Sequence, residues 1–309
     1  METMKAVQVG HFGGPETLTI KDVPKPRPGA GEVLVRVRAT GVNPVDWKFR
    51  EGFFKNLRLP FTPGGDFCGV IEEIGRGVAD YKTGDVVYGC TPGSVGAEAE
   101  FLKSPVANLA LKPSTLDVVE AAGVPLAGMT AWQGLFTHGL LRSGETVLVL
   151  GASGGVGSIA VQLAKLAGAR VIGTASTPNV EHLLALGCDV VVDYKKQDFV
   201  NFAKDVDLCL DLLGGDFQKR AIGAIKTGGR LVSAVQEPDE AAVRARKLTT
   251  KFFRMNPEGR QLTELARRID SGELKIAVAK ILPLERAAEA EELNRRHEVN
   301  GKIVLQVGS

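Results

Sequence analysis

The segment Thr146-Val-Leu-Val-Leu150-Gly151-Ala-Ser-Gly154-Gly155-Val-Gly157 joins a short apolar run to a cluster of four glycines. The apolar run, 146–150, has strand length. Behind the glycines, Val156, Ile159, Ala160, Leu163, Leu166 and Ala167 recur at helical spacing. Gly168 stands where a glycine closes a last helical turn. A strand, a glycine turn and a helix open a βαβ unit, and the pattern repeats downstream. Strands are expected over 171–175, 190–192, 206–210, 230–234 and 251–255, with a helix over 179–186 ended by Gly187. Strands alternating with helices predict an α/β fold with a doubly wound parallel sheet.

The flanks read differently. Glu32-Val-Leu-Val-Arg-Val-Arg38 alternates with period two, the mark of a half-buried strand. Pro24, Pro26 and Pro28 make an extended approach to it. Further strands are expected over 5–9, 69–74 and 85–89, separated by Gly75-Arg-Gly77 and Thr83-Gly84 turns. The tail predicts a helix over 259–270, a strand near 275–280, a helix over 284–297 and a strand over 302–307. Three segments follow: a β-rich part over 1–124, the α/β part over 125–258, and a return over 259–309.

Composition excludes several classes. Hydrophobic residues are 44% and charged residues 24% of the 309, which argues against disorder. Lys and Arg number 38 against 36 Asp and Glu, a net charge of +2, so no nucleic-acid partner is expected. Cys68, Cys90, Cys188 and Cys209 contain no CxxC pair and read as reduced, buried thiols. The opening METMKAVQVGHFGG carries no apolar run of the signal-peptide kind. The charge-free stretch 146–164 is about long enough to cross a bilayer. Its glycines, Ser153 and Gln162 read better as strand, turn and helix. A cytoplasmic protein with no membrane partner is the expectation.

The glycine turn carries chemistry. A tight turn, a close backbone approach to a pyrophosphate and tight helix–strand packing each require glycine, and the helix N-terminus attracts the anion. Ser153, Gly154, Gly155 and Val156 are therefore expected at the cofactor. A dinucleotide site selective for NAD ends its second strand with Asp or Glu, which bonds the ribose hydroxyls. Here the strand runs into Ser176-Thr177-Pro178-Asn179, and the nearest acid, Glu181, lies inside the next helix. Hydroxyls do not repel a 2′-phosphate, so NADPH is favoured, with Ser176, Thr177 and Asn179 near that phosphate. Tyr194 could cover the adenine, touch the phosphate or lie free on the surface.

Gly41-Val-Asn43-Pro44-Val-Asp46-Trp-Lys48, Pro63-Gly-Gly-Asp66-Phe-Cys-Gly69-Val70, Ala121-Ala-Gly-Val-Pro125-Leu-Ala-Gly-Met-Thr130-Ala-Trp132 and Gly301-Lys302-Ile303-Val304 complete a second pattern. With the glycine turn, they make the chain resemble the medium-chain dehydrogenase/reductase superfamily, in its zinc-independent, zeta-crystallin-like quinone oxidoreductase branch. The resemblance spans almost the whole chain. It implies a GroES-like β domain, a Rossmann domain and a C-terminal return to the first domain. It also implies cofactor contacts at Thr130, Leu213, Gly214, Ser233, Val235 and Lys302. In zinc-dependent members a Cys falls at Asn43, a His at Gly65 and a proton-relay hydroxyl at Val45. An amide and a glycine cannot replace a thiolate and an imidazole, so no metal is expected. His11, His138, His182 and His297 show no ligand spacing.

Without a Lewis acid, reduction of an already electrophilic acceptor is the natural chemistry. Hydride addition to a conjugated carbonyl develops charge on oxygen, which needs a donor. The resemblance implies Lys48 for this role, with Asn43 and Asp46 beside it. Lys48 could also hold the nicotinamide ribose or be a surface residue, and Asp46 could orient Lys48 or cap a turn. Trp47 and Phe54 could wall a substrate pocket or belong to the core. The function expected is NADPH-dependent reduction of quinones or α,β-unsaturated carbonyls. The alternatives are an enoyl-thioester reductase and a nucleotide-binding protein with little catalysis. A homodimer through the edge strand near 251–255 is expected from the same resemblance.

Overall fold

The chain opens with β1 (Thr3–Val9) and β2 (Leu18–Pro24), an antiparallel ribbon in which Thr3 faces Pro24 and Val9 faces Leu18. The computed structural model describes residues 2–54 and 57–308. They divide into two compact units, Met1–Leu126 with Asn256–Ser309, and Ala127–Met255.

The first unit continues through β3 (Glu32–Val42), helix α1 (Pro44–Arg50), β4 (Asp66–Ile74), β5 (Val86–Cys90), β6 (Phe101–Pro105) and β7 (Leu109–Leu111). Helix α2 (Val118–Ala122) follows, and α3 (Pro125–Trp132) leads out of the unit. The second unit runs β8 (Thr146–Leu150), α4 (Gly155–Leu166), β9 (Arg170–Ala175), α5 (Val180–Ala185), β10 (Val190–Asp193) and β11 (Val206–Asp211). It then adds α6 (Gly215–Ala224), β12 (Ile225–Ser233), α7 (Glu240–Ala245) and β13 (Thr249–Phe252). The first unit resumes with α8 (Gly259–Asp270), β14 (Val278–Pro283), α9 (Ala287–Arg295) and β15 (Lys302–Gln306).

Long β3 is the spine of the first unit. It pairs antiparallel with β4, β6 and β15, and the sheet runs β14-β15-β3-β4-β5-β7. Its inward residues Val33, Val35 and Val37 join Phe67, Ile71, Val87, Ile303 and Leu305 in one apolar core. The alternation read in the sequence is this inward and outward alternation. The late strand β15 sets Val304 opposite Gly41 and Ile303 opposite Val42, so the tail completes the sheet begun near the start.

All six strands of the second unit are parallel, in the order β10-β9-β8-β11-β12-β13. Counted from β8 this is 3-2-1-4-5-6, the dinucleotide-binding order, with its switch point between β8 and β11. Helix α4 packs on the sheet at the glycine turn. A side chain on Gly157 would lie 2.2 Å from the Gly151 carbonyl oxygen, so the close approach requires glycine there.

Three expected elements move. The strand expected near 275–280 lies at β14, because its parallel register with β15 sets Val278 against Lys302 and Pro283 against Gln306. The last strand of the second sheet is β13, placed by the pairing of Thr249 with Arg230 and Phe252 with Ser233. The helix expected over 284–297 is a 3-10 turn, Leu284–Arg286, followed by α9, because Arg286 leaves the helical region (φ −101°, ψ 25°). Among the described residues no helix is long and apolar enough to cross a membrane. The four cysteines are buried, and none forms a disulfide.

Candidate functional site

The first unit gathers buried polar side chains around the start of α1. Pro44 opens the helix, and the Asn43 backbone N–H donates to Asp46 Oδ2 at 2.7 Å. Asp46 thus caps its own helix and does not turn to Lys48. The Asn43 side chain donates from Nδ2 to Asp66 Oδ2 at 2.9 Å and accepts at Oδ1 from Lys302 Nζ. Lys302 also donates to the Val42 carbonyl at 3.2 Å and stands 3.4 Å from Asp66 Oδ2. Asp66 Oδ1 accepts the Leu126 N–H at 2.7 Å. Asn43, Asp66 and Lys302 are all buried. The packing leaves no room at Gly41, where a Cβ would sit 2.4 Å from the Ala122 carbonyl and 3.0 Å from Asp66 Oδ2. Burial pushes Asp66 up, opposed by Lys302 and the Asn43 amide.

A second group lies behind this one. Arg50, fully buried at the end of α1, donates from Nε to Glu291 Oε2 at 2.6 Å. It also reaches Glu292 at 3.1 Å and the Gly13 carbonyl at 2.8 Å. Glu98 is fully buried, and neither of its carboxyl oxygens has a hydrogen-bond partner among the described residues. Asp46 Oδ1 and Glu291 Oε1 are likewise unpartnered. Burial, then the neighbouring Glu291 and Asp46 carboxylates, push Glu98 well up, against the pull of Arg50. Burial followed by Glu291 does the same to Asp46. Burial pushes Glu291 up to about 7, against the pull of Arg50.

Lys48 is half-buried on α1 and makes no ion pair among the described residues. Its Nζ stands 5.4 Å from the Trp47 ring, and burial lowers its pKa. Trp47 meets Phe53 edge-on at 5.8 Å, and Phe54 meets Phe49 at 4.7 Å. Both are partly exposed, whereas Phe53 is 64% exposed.

In the second unit, the glycine turn delivers the first turn of α4. Its N-cap is Gly154, which has no side chain to satisfy the helix's leading N–H groups. Those N–H groups and the helix dipole fit a pyrophosphate. Ser153, Gly154, Gly155 and Val156 line this turn, none of them buried. Thr130 is buried on α3.

Buried Asp211 organises the ends of β11 and β12. Its Oδ1 accepts from the N–H groups of Leu213 and Gly214 at 3.1 and 2.8 Å. Its Oδ2 accepts from Ser233 Oγ at 2.8 Å and Gln218 Nε2 at 2.9 Å. Ser233 Oγ in turn accepts the Val235 N–H at 3.2 Å. Four expected positions, Leu213, Gly214, Ser233 and Val235, are thus tied to one carboxylate that the sequence reading passed over. Its single signal was its place at a strand's carboxyl end.

The turn after β9 holds a surprise of the same kind. Asn179 Nδ2 donates to Ser176 Oγ at 2.9 Å. Thr177 Oγ1 donates at 2.6 Å to Asp193, the last residue of β10. The acid missing after β9 is supplied by the adjacent strand. Tyr194 is 38% exposed and stands edge-on to Phe217 at 5.7 Å. The structure therefore brings Ser176, Thr177, Asn179 and Tyr194 to one set of strand ends. It gives Lys302 to the cluster at Asn43, in the first unit.

The same geometry bears on metal ligation. Among the described residues no three His, Cys, Asp or Glu side chains are grouped as a metal site requires. Of the two ligand positions, Gly65 has no side chain, and the Asn43 side chain is bonded to Asp66 and to an ammonium. That donor set does not fit zinc.

Residues 29–114 match the family model for the alcohol dehydrogenase GroES-like domain, and 186–305 match the zinc-binding dehydrogenase model. The chain is 34% identical over 321 residues to a quinone oxidoreductase of Rattus norvegicus, covering 98% of this chain and 97% of the relative. It is 34% identical over 316 residues to an NADPH-dependent alkenal/one oxidoreductase of Arabidopsis thaliana, covering 98% and 79%. A solved structure described as an NAD-dependent alcohol dehydrogenase superposes with TM-score 0.90 at 35% identity, over 99% of this chain and all of that one. Sequence likeness along the whole chain, together with the strand order and the paired domain models, makes it a member of the medium-chain dehydrogenase/reductase superfamily, in the quinone oxidoreductase branch.

Proposed function

We propose that the chain is an NADPH-dependent oxidoreductase that reduces quinones or α,β-unsaturated carbonyls without zinc. The observation that carries this reading is the bond from Lys302 to Asn43. Where a zinc-dependent relative would present a metal-binding thiolate, this chain presents an amide oxygen already holding an ammonium. Oxidation of a plain alcohol then lacks its Lewis acid, and an acceptor that is electrophilic by itself suits the site. The quinone and alkenal/one oxidoreductase relatives support the same substrate class.

NADPH, when bound, supplies the hydride. The α4 first turn would hold its pyrophosphate, with Ser176, Thr177 and Tyr194 at the adenosine end and Leu213, Gly214, Ser233 and Val235 at the strand ends. Lys48 donates to the substrate oxygen as charge develops there. Its lack of an acid partner among the described residues leaves the ammonium available, and its partial burial strengthens the bond it can make. Asp46 fixes the start of the helix that carries Lys48, and Trp47 and Phe54 are apolar neighbours for the acceptor.

Single-turnover reduction of an enone tests this reading. Lys48→Met keeps the apolar stem and removes the charge. Turnover is expected to fall on the order of a hundredfold, about 3 kcal/mol, with NADPH affinity unchanged. A loss below about threefold removes Lys48 from the mechanism. Metal analysis of the same preparation is expected to find no stoichiometric zinc, and one zinc per chain would overturn the reading of Asn43.

We also infer a cytoplasmic homodimer. Four buried thiols, none in a disulfide, suit a reducing compartment. Strand β13 is an open edge of the six-stranded sheet, and pairing with a second copy would cover it. Light scattering at micromolar concentration that returned a monomer would refute the dimer.

A further inference from the structure

Asp193 closes β10 directly beside the end of β9, with Asp193 opposite Ala175 in the register. Its side chain is held from three directions. Thr177 Oγ1 donates to Oδ2 at 2.6 Å, the Lys195 backbone N–H donates to Oδ1 at 3.0 Å, and Lys196 Nζ stands 3.6 Å from Oδ2. The Thr177 hydrogen bond holds the carboxyl below its usual range, so it is charged at neutral pH.

These bonds fix what the turn can offer a ligand. Thr177 has one hydroxyl proton, and that proton is given to Asp193. Outward, Thr177 presents lone pairs alone, which suit a ribose hydroxyl and not a phosphate. Ser176 accepts from Asn179, so its own proton stays free to donate. A carboxylate next to this turn bonds a 2′-hydroxyl well and repels a 2′-phosphate. Lys196, with its side chain 66% exposed, is the nearby charge that opposes this repulsion.

We propose that Asp193 is a specificity-determining residue that, balanced by Lys196, holds down the chain's preference for a coenzyme with a 2′-phosphate over one with a 2′-hydroxyl. This rests on the dinucleotide reading above and adds a residue from the neighbouring strand to it. It makes the chain a user of both coenzymes, with NADPH favoured by less than the hydroxyl-rich turn alone would give.

The test is titration of NADPH and NADH, followed by nicotinamide fluorescence, into the full chain, Asp193→Asn and Lys196→Met. Asp193→Asn is expected to raise the NADPH-to-NADH affinity ratio about fivefold, the order of effect one nearby like charge has at a protein surface. Lys196→Met is expected to lower the ratio about threefold through NADPH, with NADH unchanged. Both contrasts are expected to shrink as salt approaches about 1 M, where charges are screened beyond ~3 Å. A ratio within twofold of the parent in Asp193→Asn overturns the proposal. So does a fall in NADPH affinity, which would mean that Asp193 builds the phosphate site. If Asp193→Asn does not melt as the parent does, Lys196→Met decides, and an unchanged ratio there overturns the proposal. A parent chain that binds neither coenzyme overturns the dinucleotide reading itself, an outcome distinct from an unchanged ratio.

Discussion

The two units build their sites from opposite materials. Around α1 the first unit uses side chains: Asp46, Asp66, Glu98 and Glu291 share the interior with Arg50 and Lys302. At α4 the second unit uses backbone, with glycines that let N–H groups reach the surface. A buried side-chain cluster depends on every partner, because a charge left alone in low dielectric is costly. A backbone site depends on space, because its donors are present in any sequence that can adopt the turn. The first should fail by loss of a charge and the second by gain of a methyl.

Arg50 tests that contrast most severely. Arg50→Met leaves Glu291 buried without its partner and frees the Gly13 carbonyl. A loss of about 3–5 kcal/mol is expected in denaturant unfolding followed by circular dichroism. A loss under about 1 kcal/mol would mean that the cluster is not charge-dependent. The converse is Gly157→Ala, whose added carbon would meet the Gly151 carbonyl at 2.2 Å. Overpacking of this kind costs about 1–3 kcal/mol. Because the turn itself must shift, NADPH affinity is expected to fall at least tenfold in the same titration. Normal coenzyme binding by this variant would show that the turn is not held by helix packing.

Glu98 gives the smallest effect and sharpens the contrast by its sign. Its folded pKa lies above the ordinary 4.5 of an unfolded glutamate. Below that value both states are protonated. As pH rises through 4.5 toward the folded value, the unfolded chain ionises first and stability declines. Glu98→Gln removes that loss. The variant is expected to be more stable than the parent at pH 8, on the order of 1 kcal/mol for each tenfold by which the folded chain holds this proton more tightly than the unfolded one. Near pH 4 the two should match. A variant less stable at pH 8 would show that Glu98 is ionised and paired in the native state.

The parallel sheet was legible because its central strands carry short apolar runs between turn residues, with Gly151–Gly157 fixing where the first helix starts. In the β-rich part the long alternation of β3 was the clearest signal, and the strands expected over 5–9, 69–74 and 85–89 fall on β1, β4 and β5. Strands β2, β6 and β7 escaped: β6 ends in Pro105, β7 has three residues, and both are held in place by partners distant in the chain. The site followed the same rule. Asn43, Asp46 and Lys48 share one helix start and could be read together. Asp193 lies eighteen positions after Ala175, and only the parallel register makes them neighbours. Glu98 stands in Gly96-Ala-Glu98-Ala-Glu100, where alternation gives its two acids the same face. Packing against Gly64 buries Glu98 completely, while Glu100 reaches the Lys5 N–H near the surface.

The tail that carries β15 also dictates an order of assembly. The second unit is one continuous segment, Ala127–Met255, and has all of its strands once that segment has left the ribosome. The first unit, although it is translated earlier, has neither Glu291 for Arg50 nor Lys302 for Asn43 until the last tenth of the chain is made. The half that begins first must be finished last, and its acidic interior stays open to water until then.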